Sequence, residues 1–252
     1  MKIRDNIAVV AGGGSGMGAA VCRYLAEEGA KIIVIDKSEN AATHIAEETH
    51  GLAIACDITK SEALEKAFDK IAKAHVRPIS IAINCAGIAP AKRMVGKEGP
   101  MPLSFFEEVI NVNLIGTFNV MRLAASTMMK SEITQEGERG VIINTASIAA
   151  FEGQIGQTAY SASKAGIIGM MLPAARELAK FGIRVMTVAP GLVNTPMLQG
   201  MPEEIKASLA AQSLFPKRFA EPEEFAALVG QIITNPMLNA EVIRLDGGMR
   251  MI

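Results

Sequence analysis

Short apolar runs, rich in valine and isoleucine, recur along the chain and restrict the folds open to it. They lie at residues 7–11, 31–35, 53–56, 79–83, 141–144, 184–188 and 241–245. Each run is apolar throughout rather than alternating, which is typical of strands buried on both faces of a parallel sheet. Stretches with helical periodicity lie between the runs, for example at 17–28, 39–49 and 61–75. This alternation predicts an α/β fold with one doubly wound domain over residues 1–252, about seven parallel strands and helices on both faces.

The charged residues nearly cancel, with 25 lysines and arginines against 26 aspartates and glutamates. A chain this neutral has no electrostatic reason to bind nucleic acid or a membrane surface without specificity. Apolar stretches such as 165–172 are also far shorter than the roughly 20 residues that cross a bilayer. Because strand-like sequence starts at Ile7, we expect no signal peptide and a cytoplasmic location. Neither nucleic acid nor a membrane is an expected partner.

The three cysteines are scattered and follow no paired spacing. Cys22, Cys56 and Cys85 are therefore expected to be free thiols in a reducing compartment. The three histidines do not group with them, so we expect no metal site.

Three stretches interrupt the alternation of strands and helices, at residues 89–103, 131–140 and 191–216. Loops this long in a compact domain are usually functional or mobile. The first and third follow strand ends, where open α/β sheets bind their ligands. These two loops are the candidates for the substrate entrance.

A glycine-rich turn, AGGGSGMG at residues 11–18, directly follows the first strand. Glycine permits a tight turn, close approach of a pyrophosphate and close packing of the next helix, whose N-terminus favours an anion. A plain structural turn is the alternative, but the position between strand and helix favours a Rossmann dinucleotide site. The candidate residues in this turn are Gly12, Ser15, Gly16, Met17 and Gly18.

The second strand ends at Asp36. An acid at this position accepts hydrogen bonds from the adenosine ribose and repels a 2′-phosphate. Ser15 in the glycine turn offers no cation for such a phosphate, although Lys37 does. NAD is therefore the expected cofactor, while a helix-capping role for Asp36 is the alternative.

Two more polar stretches follow strands at the same edge of the predicted sheet. Asp57 and Ile58 come after the third strand, and NCAG, with Asn84, Ala86 and Gly87, ends the fourth. Adenine and ribose would lie at this edge. The alternative interpretation is that each stretch is an ordinary turn.

Tyr160 and Lys164 lie four residues apart on a predicted helix and so share one face. A neighbouring ammonium lowers the pKa of a phenol, as general-base chemistry requires. Ser147, just beyond a strand end, is placed to hold a substrate oxygen. A Tyr/Lys pair alone is also common on helix surfaces. Together with Ser147 and the glycine turn it indicates catalysis.

With these motifs the sequence resembles the short-chain dehydrogenase/reductase family over its whole length. The shared features are the glycine turn, NCAG, NVNLIG at 111–116, Ser147, Tyr160 with Lys164, and APGLVNT at 189–195. The resemblance implies a catalytic tetrad of Asn113, Ser147, Tyr160 and Lys164. It also implies cofactor contacts from Pro190, Gly191, Val193 and Thr195. Ala11 stands where threonine is usual in the family, a change that bears on turn support rather than chemistry.

Within that family the chain is similar to the type 2 3-hydroxyacyl-CoA dehydrogenases, which are also described as hydroxysteroid dehydrogenases. The segments that carry this similarity are 139–170, the ending at 235–248, and the inserted loops at 89–103 and 131–140. The similarity implies an acyl-CoA thioester as substrate and a homotetramer. Gln154 would touch the substrate, and Lys92, Arg93 or Lys97 would meet the phosphates of CoA, unless these are ordinary loop residues. The alternatives are a reductase of acyl-carrier-protein thioesters, steroids or sugars, and a noncatalytic NAD-binding subunit.

Overall fold

The computed structural model describes residues 1–75, 77–195 and 203–251. Its strands are β1 (Ile7–Ala11), β2 (Lys31–Asp36), β3 (Leu52–Ala55), β4 (Ile81–Asn84), β5 (Val95–Gly96), β6 (Gly99–Pro100), β7 (Gly140–Thr145), β8 (Ile183–Pro190) and β9 (Val242–Leu245). Seven of these form one parallel sheet in the order β3-β2-β1-β4-β7-β8-β9. The predicted doubly wound α/β class is confirmed.

Helices connect the strands across both faces of the sheet. They are α1 (Gly16–Glu27), α2 (Glu39–Glu48), α3 (Ser61–Ala74), α4 (Leu103–Ile110), α5 (Gly116–Met128), α6 (Thr158–Ala179), α7 (Glu203–Ala210) and α8 (Pro222–Thr234). A π-helical turn, Asn111–Ile115, joins α4 to α5, and a 3₁₀ turn, Ile148–Ala150, follows β7.

Successive side chains along a strand point to opposite faces of the sheet, so each face carries its own set of apolar side chains. A separate layer of helices covers each face. On one face Val10, Val34 and Ile83 pack with α1, α2 and α8. On the other face Val9 and Ile142 pack with α3, α5 and α6. Burial on both faces explains why the strands are apolar throughout.

The strand order reverses between β1 and β4. The chain runs outward from β1 through β2 to β3, and then returns to the other side of β1 at β4. The connections leave β1 in opposite directions at this point, which opens a crevice at the carboxyl ends of the strands. The glycine turn follows β1 at that edge.

The loop at 89–103 contains a short antiparallel hairpin, β5 with β6, which the sequence prediction missed. Gly99 turns the hairpin with a φ of +113°, a conformation that side chains rarely adopt. The Lys92 N–H also donates to the Gly156 carbonyl at 2.9 Å, so the loop rests on the segment that precedes α6.

The loop at 131–140 leads into β7 at its amino end, opposite to the crevice. Its Glu138 carboxylate is buried and accepts a hydrogen bond from the Arg184 Nε at 2.7 Å. The Met1 amino group lies 2.7 Å from the other carboxylate oxygen. Arg184 also donates to the carbonyls of Ile232, Ile233 and Leu238, beyond and at the end of α8. This loop therefore belongs to the fold rather than to the crevice.

Replacing Arg184 with Met should destabilise the protein strongly. The variant would leave Glu138 with one charged partner and would strip three carbonyls of their donor. We expect the free energy of unfolding in urea to fall by about 3 kcal/mol. Glu48→Gln breaks the exposed Arg23–Glu48 pair and is the control, with an expected loss of about 0–1 kcal/mol. Equal losses in the two variants would contradict this.

Candidate active site

The glycine turn packs directly on the backbone that follows β4. Gly12 has a φ of +73°, and a Cβ there would lie 2.5 Å from the Ala86 nitrogen. A Cβ on Gly18 would overlap the Gly12 carbonyl oxygen. Only glycine fits either position. The turn is thereby held open beside the first turn of α1.

The N-terminus of α1 is free to meet an anion. Ser15 is its N-cap residue in an extended conformation, but its hydroxyl makes no capping hydrogen bond. The first turn, which begins at Gly16 and Met17, contains no acidic residue. Backbone N–H groups and the helix dipole at such an end favour a phosphate. The turn therefore fits the pyrophosphate of a dinucleotide.

Asp36 lies beside this turn at the end of β2. One carboxylate oxygen accepts from the Gly14 N–H at 3.1 Å and the other from the Ser38 N–H at 3.0 Å. The N-cap of α2 is Ser38, whose hydroxyl accepts from the Ala41 N–H. Asp36 is therefore not the capping residue, and its half-buried carboxylate borders the crevice.

Asp57 and Ile58 take different positions after β3. The Asp57 carboxylate is exposed and accepts from the Thr59 N–H and hydroxyl at 2.9 and 2.8 Å. Burial raises the pKa of Asp57, but these hydrogen bonds outweigh it and the pKa is lowered. Ile58 is buried, and its carbonyl accepts from Asn119. Asp57 thus caps a local turn after β3 with its carboxylate.

The NCAG segment divides into a part inside the sheet and a part in the crevice. The Asn84 amide is buried and donates to the Asn144 side chain at 2.8 Å. Ala86 lies under Gly12, as described above. A Cβ on Gly87 would lie 3.1 Å from the Asn113 Oδ1 and 3.5 Å from the Lys164 Nζ. The backbone after Asn84 therefore connects the glycine turn to the predicted catalytic residues.

Ser147, Tyr160 and Lys164 come together at the ends of β7 and α6. The Ser147 hydroxyl accepts from the Ala149 N–H at 3.1 Å and lies close enough to the Tyr160 phenol to influence its pKa. The Lys164 Nζ lies 5.8 Å from the centre of the Tyr160 ring and donates to the Thr145 carbonyl at 2.8 Å. The phenol of Tyr160, the hydroxyl of Ser147 and the amine of Lys164 therefore lie close together.

The pKa of Tyr160 is raised, whereas the sequence predicted that Lys164 would lower it. Burial of the phenol raises this pKa, and the nearby Ser147 hydroxyl lowers it by less. Burial also lowers the pKa of Lys164 to about 8. The prediction was wrong in direction because exclusion of water disfavours both charged forms.

Asn113 lies in the π-helical turn and is fully buried. Its Oδ1 accepts from the Ile88 N–H at 2.8 Å, and its Nδ2 donates to the Ile88 carbonyl at 2.9 Å. The same Nδ2 donates to the Ser163 hydroxyl at 3.0 Å. π-Helical turns occur often at functional sites. The side chain of Asn113 thus joins the segment after β4 to α6.

The sequence analysis missed Ser163. Its buried hydroxyl accepts from Asn113 and donates to the Tyr160 carbonyl at 2.7 Å. A serine inside YSASK carries no signal of its own. Its position next to Lys164, one turn after Tyr160, was the one available indication.

The remaining candidates lie on segments around the crevice. Gln154 is half-buried, and its N–H donates to the Gln157 side chain. Pro190 ends β8, and the Gly191 N–H donates to the Leu245 carbonyl at 2.9 Å. Val193 is buried beside Ala220, and Thr195 is half-buried. Residues 196–202 of the loop predicted at 191–216 lie outside the described residues.

Metal-binding clusters, membrane-spanning helices and disulfides are all absent among the described residues. No group of three or more His, Cys, Asp or Glu there is arranged to hold a metal ion. No helix among them is long and apolar enough to cross a membrane. The three cysteines are not paired in disulfides.

Comparison with known proteins gives a family match over most of the chain and relatives that match nearly all of it. The family model for short chain dehydrogenase matches residues 6–206. The 3-hydroxyacyl-CoA dehydrogenase type-2 of Homo sapiens is 47% identical over 254 residues, covering 99% of this chain and 97% of the relative. The enzyme of that name from Drosophila melanogaster is 46% identical over 257 residues, 99% of both chains. The crystal structure of 3-hydroxyacyl-CoA dehydrogenase type-2 from Mycobacterium avium has a TM-score of 0.92 at 36% identity, covering 99% and 96% of the two chains.

Buried Lys164 should make the stability of the protein depend on pH. The folded-state pKa of about 8 lies below the ordinary 10.5, so between these values the unfolded chain binds more protons and stability rises with pH. We expect wild type to gain about 2 kcal/mol over Lys164→Met between about pH 7.5 and about pH 9.5, measured by urea unfolding.

The control for this measurement is Thr127→Val on α5, which removes no titratable group. The difference between wild type and this variant should stay constant over the same pH range. A constant difference for Lys164→Met as well would contradict the depressed pKa.

Proposed function

Because this chain belongs to the short-chain dehydrogenase family, whose members are oxidoreductases that use NAD or NADP, we propose that it interconverts 3-hydroxyacyl-CoA and 3-ketoacyl-CoA with NAD(H). The proposal is carried by one observation. The Tyr160 phenol, the Ser147 hydroxyl and the Lys164 amine lie close together beside the glycine turn. The full-length similarity to enzymes named for this substrate supports the choice of thioester.

Tyr160 would exchange the proton with the substrate oxygen. In oxidation the phenolate removes the proton of the C3 hydroxyl, and in reduction the phenol returns a proton to the ketone oxygen. The raised pKa keeps Tyr160 protonated at neutral pH, which is the form that serves reduction. The Ser147 hydroxyl, which lies near the same phenol, would hold the substrate oxygen next to it.

Lys164 and Asn113 would assist this proton transfer. The Lys164 ammonium, one helical turn from Tyr160, stabilises a phenolate when it forms and would bind the nicotinamide ribose. The resemblance also implies that Asn113 anchors a proton-relay water. Both N–H groups of its side-chain amide are already engaged, by the Ile88 carbonyl and the Ser163 hydroxyl, so such a water would donate to an oxygen of Asn113.

The dinucleotide would lie along the carboxyl edge of the sheet. Bound there, it supplies or accepts the hydride. The turn from Gly12 to Gly18 fits its pyrophosphate and Asp36 its adenosine ribose. By resemblance, the other contacts come from Asp57, Ile58, Asn84, Ala86, Gly87, Pro190, Gly191, Val193 and Thr195.

NAD is proposed over NADP because of Asp36. Its carboxylate adjoins the Gly14 N–H, and a Cβ on Gly14 would lie 2.9 Å from its Oδ2. A 2′-phosphate at this place would meet a negative charge at close range. Lys37 is exposed and is the one cation adjoining Asp36 in sequence.

The proposed thioester would enter beside the hairpin loop at 89–103. Lys92, Arg93 and Lys97 are exposed there, and the Lys92 N–H ties the loop to Gly156 near Gln154. Lys92 also lies 5.7 Å above the Phe105 ring. Exposed cations at this entrance suit the phosphates of CoA, and Gln154 would contact the substrate.

A homotetramer is proposed from exposed apolar side chains on the long helices. Leu103, Ile115 and Phe118 are each more than half exposed, and Leu172 on α6 is 40% exposed. Apolar surfaces of this kind usually mark protein contacts. The cytoplasmic location stays a prediction.

The substrate proposal is tested by following NADH absorbance with acetoacetyl-CoA, free acetoacetate and a steroid ketone. We expect acetoacetyl-CoA to give the highest kcat/KM. Tyr160→Phe should lose about 10²- to 10⁴-fold in kcat while the NADH Kd stays unchanged, because only the proton carrier is removed. Tyr24→Phe alters the chain's other tyrosine, on α1, and is the control. Preference for the steroid, or normal rates in Tyr160→Phe, would refute the proposal.

Cofactor choice is tested by initial rates with NADH and NADPH. We expect kcat/KM to favour NADH by about 100-fold, and Asp36→Asn to reduce that ratio about tenfold by removing the like charge. Glu39→Gln removes an exposed acid at the start of α2 and should leave the ratio unchanged. Equal rates with the two cofactors would favour a reductase of the acyl-carrier-protein type.

A further inference from the structure

The segment between Ser147 and α6, residues 148–157, is here called the site loop. It starts in the 3₁₀ turn after Ser147, where the Glu152 N–H donates to the Ile148 carbonyl at 3.0 Å. It ends at α6, which begins at Thr158. Both flanks of the loop therefore carry residues of the proposed proton transfer, and any shift of the loop moves them.

A partly buried ion pair holds the middle of the site loop. The two Glu152 oxygens accept from the Arg244 Nη1 at 2.8 Å and Nη2 at 3.2 Å. The Met251 N–H donates to the same carboxylate at 3.0 Å. Each of the paired side chains is only 21% exposed. Two parallel hydrogen bonds fix orientation as well as distance.

The Arg244 side chain also makes contacts other than the pair with Glu152. Its Nε donates to the Asp246 Oδ2 at 2.7 Å, its Nη2 donates to the Met249 carbonyl at 2.8 Å, and the Phe151 ring centre lies 5.3 Å from the guanidinium carbon. The guanidinium also holds the pKa of the Glu152 carboxyl below its ordinary value, so the pair stays ionised at neutral pH.

Residues 244–251, which include Arg244 and Met251, also form backbone hydrogen bonds to two further segments at the crevice. The Leu245 carbonyl accepts from the Gly191 N–H at 2.9 Å. The Gly247 carbonyl accepts from the N–H groups of Leu214 and Phe215 at 3.0 and 3.1 Å. Residues 244–251 thus contact the site loop, the segment after β8 and the segment after α7.

We infer that Glu152 and Arg244 are positioning residues: their ion pair sets the place of the site loop against residues 244–251, and through it the alignment of Ser147 and Tyr160. Neither side chain reaches the reacting atoms. The inference rests on the proposed function for its effect on turnover, but the coupling of loop to segment is a property of the fold alone. Displacements of about 1 Å near a reacting centre cost up to about 100-fold in rate.

The first test measures the coupling without any substrate. Hydrogen exchange of peptides covering 148–157 and 244–251 is compared in wild type, Glu152→Gln and Arg244→Gln. We expect exchange in both peptides to accelerate about tenfold in either variant, while core strands keep their protection. Glu48→Gln, which breaks the exposed pair with Arg23, should leave both peptides unchanged. Unchanged exchange in Glu152→Gln would overturn the inference.

The second test measures turnover with acetoacetyl-CoA and NADH. We expect kcat/KM for the thioester to fall about tenfold in either single variant, and the double variant to lose much less than the product of the two losses, because the ion pair that the two residues share is removed only once. The Kd of NADH should stay within about twofold, since the glycine turn is not involved.

Additive losses, or losses that merely follow a lowered Tm, would assign these residues a general structural role and overturn the inference. If wild type itself fails to reduce acetoacetyl-CoA, the proposed function fails. The exchange experiment then still decides whether the ion pair positions the loop.

Discussion

The Lys164 ammonium lies inside the protein, 2.8 Å from the Thr145 carbonyl oxygen, and burial lowers its pKa to about 8. A buried cation needs oriented dipoles close by, since the loss of water is otherwise too costly. The end of β7 supplies the carbonyl, α6 carries the amine, and the backbone at Gly87 lies beside it, where an added Cβ would be in ordinary contact with Nζ at 3.5 Å. The proposed chemistry depends on these three parts keeping their places together.

The parallel sheet brings those parts to one edge. Every strand of the large sheet points the same way, so the glycine turn after β1, Asp36 on β2, Gly87 after β4 and Ser147 after β7 all lie at carboxyl ends. The change of strand order between β1 and β4 opens the crevice there. Two layers of helices hold the sheet from both faces, and the buried Arg184–Glu138 pair secures its opposite end.

Much of this could be predicted from local signals. Apolar runs predicted the sheet strands to within a few residues, and the motif spacing predicted which side chains would share the edge. The hairpin at Val95–Pro100 was missed because its exposed strands are two residues long and carry no buried pattern. Ser163 was missed because its role depends on Asn113, which lies 50 residues away in the chain.

The sequence by itself determined the fold class and the position of the glycine turn. It also determined which residues are the catalytic candidates, namely Ser147, Tyr160 and Lys164. These results follow from periodicity and spacing along the chain. Only the tertiary structure decided that the pKa of Tyr160 is raised, that Asp36 is not a helix cap, and that Glu152 is paired with Arg244. Burial and long-range pairing depend on the whole packed molecule, and no local pattern of residues encodes them.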